Sequence, residues 1–369
     1  MENSQQVRFK KPVSNSFDKV LKLRVAQYFE NNKLSKFGNF SLYLKTIIMF
    51  SLYLTPFFLM LFHTVTGFWP MTLMYLIMGV GITGIGTGFM HDANHGAFSK
   101  SPLINKIIGY SINFVGGSAV HWKIQHNVLH HSYTNIHGKD EDINPPIDII
   151  RISPHNKLKP IHKYQFLYAW LLYGIMTFTW ITIKEFMQLN RWEKKGYLKA
   201  QGRTYWGLFM EIFVWKIFYF AYMVYVPLVY FPVSGLQLLF YILIMHLVAG
   251  VSLGAIFQAA HVVPGTSFPI PDKEGMLEDT FAIHQLRTTA DFAQNNPFVN
   301  WFVGGLNFQI EHHLFPNVSH VHYKALSKIV KQTAEEFDLP YMVQPTFRKA
   351  VSNHIKILWD YGRIEQPSF

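Results

Sequence analysis

Four unbroken apolar runs, at about 46–62, 71–90, 217–233 and 236–260, restrict this chain more than any other feature. Each approaches the ~20 residues that an α-helix needs to cross the hydrocarbon core of a bilayer. A soluble fold would scatter such residues at amphipathic spacing instead of gathering them. Hydrophobic residues make up 50% of the chain and aromatics 17%, which agrees with a membrane solvent.

The runs pair into two hairpins. Their turns, 63–70 and 232–235, contain no charged residue, whereas the flanking segments hold nearly all the Lys and Arg. By the positive-inside rule both turns face away from the cytoplasm, and the N-terminus, the long middle segment and the C-terminus lie inside. A fifth apolar stretch, 164–183, is flanked by Lys163 and Lys184 and rich in Tyr and Trp. A crossing there would put the middle segment and the C-terminus on opposite sides, so it is read as a helix lying in the interface. Lys45 and Lys216 begin their runs and are expected to snorkel to the cytoplasmic surface. Gly79, Gly81, Gly84, Gly86 and Gly88 line the second run and permit close helix approach.

The expected fold is therefore all-α and integral to the membrane, with four transmembrane helices in two hairpins beneath a cytoplasmic helical cap. It divides into a basic N-terminal segment 1–42, a membrane domain 43–323 and a C-terminal segment 324–369. No early apolar core followed by a cleavage site marks a signal peptide.

The formal net charge of +11 is spread over every polar segment, without a stripe of basic residues interleaved with aromatics, which argues against nucleic acid. Cysteine is absent, so disulfides, iron–sulfur clusters and thiolate-bound haem are excluded and any metal must sit on nitrogen or oxygen. Histidine, with 18 copies, is the abundant donor.

Three clusters concentrate it. HDANH follows the second run, and His91 and His95, four apart, share one helical face. HWKIQHNVLHH puts His126 and His130 on one face, with His131 about 100° round, so three imidazoles can address two neighbouring metals. NFQIEHHLFP sets Gln309, His312 and His313 at i, i+3 and i+4, with Glu311 turned away. All three fall on the cytoplasmic side of the expected topology, as does His261 at the end of the fourth run. His246 lies deep in that run and is read as a neutral imidazole hydrogen-bonded between helices. His121, His137, His320 and His322 lie near the clusters; His155, His162, His284 and His354 are expected at the surface. Imidazole suits iron, zinc or copper, so ligand type leaves the metal open. A metal transporter would carry its donors inside the spans, and a zinc protease would need Glu where HDANH has Asp92.

In these motifs the chain resembles the membrane fatty acid desaturases, whose hallmark is three histidine boxes beside two transmembrane hairpins. HDANH corresponds to the first box, HNVLHH to the second and QIEHH to the third. Trp122, Lys123, Thr134 and Asn135 around the second box, and GGLNFQIEHHLFP at the third, are similar to front-end and related acyl-lipid or acyl-CoA desaturases. The resemblance covers about 46–323. It implies an oxygen-dependent acyl desaturase with two iron ions, the alternative being a membrane di-iron hydroxylase or ketolase. It further implies His91, His95, His126, His130, His131, His261, His312 and His313 as ligands, with Gln309 a weak or water-mediated one in place of the histidine of many stearoyl-type enzymes. Asp92, Asn127 and Glu311 are candidates for orienting imidazoles, and Trp122 for the acyl tunnel. The substrate is expected on CoA or a membrane lipid. No HPGG haem motif occurs, so electrons are expected from a separate ferredoxin or cytochrome b5.

Overall fold

The computed structural model describes residues 7–143 and 148–365; the ends of the expected segments 1–42 and 324–369 lie outside the described residues. The fold is mostly helical. Among the described residues the strands form two short parallel pairs, Arg8–Phe9 with Met276–Leu277 and Asp291–Phe292 with Val343–Gln344. The chain divides into two compact units, one of Met1–Gly38, Gln125–Ala169 and Ile256–Phe369, the other of Asn39–Ile124 and Trp170–Ala255.

Five helices are long and apolar enough to cross a membrane: Phe40–Leu61, Phe68–Asn94, Pro160–Lys194, Tyr205–Tyr230 and Gly235–His261. Four coincide with the predicted runs, although the first ends at Leu61 and the helix from Tyr205 ends at Tyr230, short of the expected 62 and 233, and the remaining one contains the stretch assigned to the interface. In the apolar unit these helices meet through glycine. A Cβ on Gly79 would lie 2.6 Å from the Met245 carbonyl oxygen, and one on Gly81 2.8 Å from the Tyr53 amide, so any side chain there would force neighbours apart. The outward faces carry exposed Phe58, Leu73, Leu239 and Leu243, apolar surface that water would not tolerate in so large a patch.

Both lysines inside this unit meet an acidic partner. Lys45 and Lys216 do not snorkel; both are buried. The Lys216 ammonium lies 2.9 Å from a Glu185 carboxylate oxygen and donates to the carbonyls of Gly116 and Trp180, each at 3.1 Å. Lys45 faces the charge of Asp92. Internal partners replace the water that snorkelling would have reached. His246 behaves as expected. The Thr177 hydroxyl proton goes to the His246 carbonyl at 2.9 Å, so Nδ1 donates back to Thr177 at 3.2 Å and Nε2 accepts from Tyr219 at 2.8 Å.

The other unit packs helices Phe17–Asn31, Phe281–Thr288 and Tyr323–Glu336 around Phe17, Leu21, Leu286, Leu326 and Val330. Asp18 ties the first helix to the second by accepting from the Thr280 hydroxyl at 2.7 Å. Arg151, 1% exposed, donates to the carbonyls of Pro154, Asn156, Tyr361, Ile364 and Glu365, which fixes the end of helix Phe347–Tyr361.

The expectation of surface histidines holds for His155 and fails for His162, His284 and His354, each 1% exposed. Each ring donates to a main-chain carbonyl, of Asp148, Thr134 and Val262 respectively, and that bond replaces the water a surface imidazole would have.

Candidate metal centre

The second box is not α-helical. Ile124–His130 winds as a π-helix before the short helix His131–Tyr133. A wider turn brings residues five apart together, so His126 meets His131, with their Nε2 atoms 3.2 Å apart. The α-helical reading, with His126 and His130 sharing a face and His131 well round from them, is corrected accordingly. Two imidazoles on one metal at about 2.0–2.1 Å and ordinary bond angles would sit about 3.0–3.4 Å apart, which matches this spacing. A π-helical turn, Gly86–Met90, also precedes His91.

Helix Gln309–Leu314 supplies His312 and His313, and His261 ends helix Gly235–His261. Ring centroids are 4.7 Å apart for His130 and His261, 4.9 Å for His130 and His313, 4.8 Å for His261 and His313, and 4.5 Å for His131 and His312. Two triads of buried nitrogens emerge, His130 with His261 and His313, and His131 with His312 and His313; in each, the donor atoms lie within 4.8 Å of one another. His313 belongs to both. So many imidazoles crowded out of water are unfavourable unless a cation or a proton binds them together.

Their tautomers are set from behind. Asp140, fully buried, lies 3.1 Å from His130 Nδ1, and Asp142 lies 3.4 Å away. Burial alone would depress His130, but these two carboxylates overcome it and push its pKa up to about 9. The single Thr134 hydroxyl proton lies between two acceptors, the His130 carbonyl at 2.9 Å and the Gln285 side-chain oxygen at 3.0 Å, so the hydroxyl accepts from His313 Nδ1 at 3.2 Å. His312 Nδ1 lies 3.2 Å from the Tyr323 hydroxyl. His261 Nδ1 faces the Thr288 carbonyl at 3.4 Å, which leaves a buried Nε2 with no hydrogen-bond partner among the described residues. Gln309 is buried with its amide nitrogen likewise unpartnered. Imidazoles anchored at Nδ1 with Nε2 turned inward are the donor set that a divalent metal requires.

Glu311 does not orient an imidazole. It forms a buried carboxyl pair with Asp291, and the Tyr341 hydroxyl, with one proton to give, lies 3.0 Å from an oxygen of each. Burial pushes both carboxyls up, and repulsion from Asp291 adds to the effect on Glu311. Asp140 was missed in the sequence because it lies ten residues beyond His130, across a loop in which Asn135 adopts φ 58°. The Asp of the motif TNxxGxD was its only local sign.

In the apolar unit, His91 and His95 have ring centroids 4.7 Å apart, and Trp122 sets its edge against them at 5.5 and 5.7 Å.

Fold and site together define a membrane protein with a histidine-lined centre suited to metal. The description of the family model that matches residues 66–345 is "Fatty acid desaturase". The chain is 35% identical over 366 residues to the sn-1 linoleoyl-lipid 6-desaturase of Synechocystis sp., a match covering 98% of this chain and 99% of the relative. It is 32% identical over 349 residues to the enzyme of the same name from Arthrospira platensis, covering 95% and 93%. It is also 34% identical over 358 residues to an acyl-lipid (8-3)-desaturase of Physcomitrium patens, covering 95% and 73%. This chain belongs to the fatty acid desaturase family. It is an enzyme that desaturates fatty acyl chains.

Proposed function

We propose that the chain inserts a double bond into an acyl chain carried on a membrane lipid, using two iron ions and molecular oxygen. The observation that carries the two-metal reading is the pair of buried triads sharing His313. The lipid carrier is supported by the acyl-lipid names of relatives that align over nearly the whole chain. When bound, the metal pair would supply the oxidising power needed to take hydrogen from two adjacent unactivated methylenes.

The chain's own residues hold and orient that pair. His126, His130, His131, His261, His312 and His313 present nitrogen donors, Gln309 is a weak or water-mediated donor, and the first box adds His91 and His95 by its motif. Asp140, Thr134, Tyr323 and the Thr288 carbonyl keep Nδ1 occupied so that Nε2 stays available. Trp122, buried against His91 and His95, is proposed as a wall of the acyl tunnel.

Four helices cross the bilayer in this reading, and Pro160–Lys194 lies across them near the cytoplasmic interface. In support, a Cβ on Gly250 would strike the Tyr173 and Gly174 carbonyls, and a Cβ on Gly254 would meet the Tyr173 ring, whereas Trp180 and Glu185 meet Lys216 on another helix. Its contacts thus pass from one helix to the next within about 18 Å of its own length, as a helix laid across a hairpin would. The even number of crossings puts the termini and the middle segment in the cytoplasm. Electrons reach the site from a separate ferredoxin or cytochrome b5, drawn to the basic surface.

Expression in a host that lacks the activity, followed by double-bond mapping of each lipid class, tests the assignment. A new double bond in intact glycerolipid is expected. An added hydroxyl without unsaturation would favour the hydroxylase alternative, and unsaturation confined to acyl-CoA would overturn the lipid carrier.

A further inference from the structure

We propose that the loop after the second box, residues 134–142, sets the affinity of one of the two metal positions, with Asp140 as its principal positioning residue; this rests on the two-metal reading above. Asp140 is 0% exposed, and its two oxygens accept from the main-chain amides of Asn135 and Asp142, each at 2.9 Å. A carboxylate held by two amides cannot swing away. Because it can only accept, the His130 ring at 3.1 Å must give it Nδ1–H and turn Nε2 toward His261 and His313.

The same loop reaches the other members of that triad. Asn135, in a left-handed conformation, aims its amide N–H at Asp140 while its side-chain Nδ2 donates to the carbonyls of His261 at 2.9 Å and Thr288 at 3.2 Å. The Thr288 carbonyl is the one that faces His261 Nδ1. Thr134 accepts from His313. One turn of chain therefore orients His130, His261 and His313 together. In the second triad, the ring that faces Asp140 is absent, and His312 Nδ1 lies 3.2 Å from the Tyr323 hydroxyl, outside this loop. The dependence on Asp140 is thus unequal between the two positions.

The test uses full-length chain in detergent, stripped of metal and titrated with Co2+, with bound metal counted and followed by its visible absorption. Wild type is expected to take up two equivalents. Asp140→Asn can still accept Nδ1–H but lacks the charge and turns its NH2 on one of the two amides, and Asp140→Ala removes the contact. Each is expected to keep one tight equivalent and weaken the other, by about 10–100-fold for Ala and less for Asn. If Asp140→Ala fails to fold, the Asn variant, of nearly equal volume, carries the test. Two equivalents of unchanged affinity in the folded variants, or loss of both in Asp140→Asn, would overturn the selective role of the loop. A wild-type chain that binds fewer than two equivalents overturns the two-metal reading and this inference with it.

Discussion

His246 and His261 share one apolar helix yet are fifteen residues apart, about 22 Å at the helical rise, so they cannot serve one metal pair. Their surroundings differ in kind. Both ring nitrogens of His246 are committed to Thr177 and Tyr219, whereas His261 keeps a buried Nε2 without a hydrogen-bond partner among the described residues. Replacing His261 with Ala is expected to lower iron content and abolish desaturation. His246→Ala should leave iron in place and cost about 1–3 kcal/mol of stability, because the buried Tyr219 hydroxyl loses its acceptor. Iron assay and thermal unfolding of the two variants separate these outcomes; full iron in His261→Ala would remove it from the ligand set. His284 and His354 lead to a different expectation. Burial lowers each to about 4, against about 6.5 in an unfolded chain, the bond to a carbonyl offsetting only part of the effect. Above pH 6.5 their contribution to stability is complete. Below it the unfolded state takes up protons first, so stability should fall progressively toward pH 4. Melting temperatures of the wild type and of His284→Asn/His354→Asn should diverge in slope across that window, and parallel slopes would contradict the account.

At the scale of elements, hydropathy located the long helices but not their full extent. The predicted run 217–233 belongs to a helical segment that begins at Tyr205, because Glu211 and Lys216 interrupt the apolar pattern while being satisfied internally. The histidine boxes were legible because imidazoles at such spacing have little other use. The π-helical winding of the second box was not, since residue spacing read at 3.6 per turn cannot show a change of turn. Nor were the burial of Lys45 and Lys216 or the anchoring of His284 and His354, which depend on partners distant in sequence. The Lys216–Glu185 pair sharpens this point. Breaking it with Lys216→Met strands a carboxylate that also accepts from Trp180 at 2.7 Å, and should destabilise by about 3–5 kcal/mol. The double change with Glu185→Leu should recover most of that loss in a detergent melt. Equal melting of the single and double variants would show that the pair is not the cause.

For the whole molecule, the four crossings proposed above would place every histidine box on one side, and labelling tests that proposal directly. Accessibility tags at Asn3, Lys195 and Pro367, the first and last of which lie outside the described residues, should all label from the cytoplasmic face. Opposite labelling at Lys195 would make Pro160–Lys194 a true span and break the proposed arrangement. The central claim is that one chain holds two irons through two neighbouring histidine triads, and His313 lies where those triads meet. Iron per chain, measured on purified wild type and on folded His313→Ala, tests it most directly. The account predicts two irons in the wild type and fewer than one in the variant, with no new double bonds in the variant's lipids. Two irons retained without His313, or no more than one in the wild type, would contradict it.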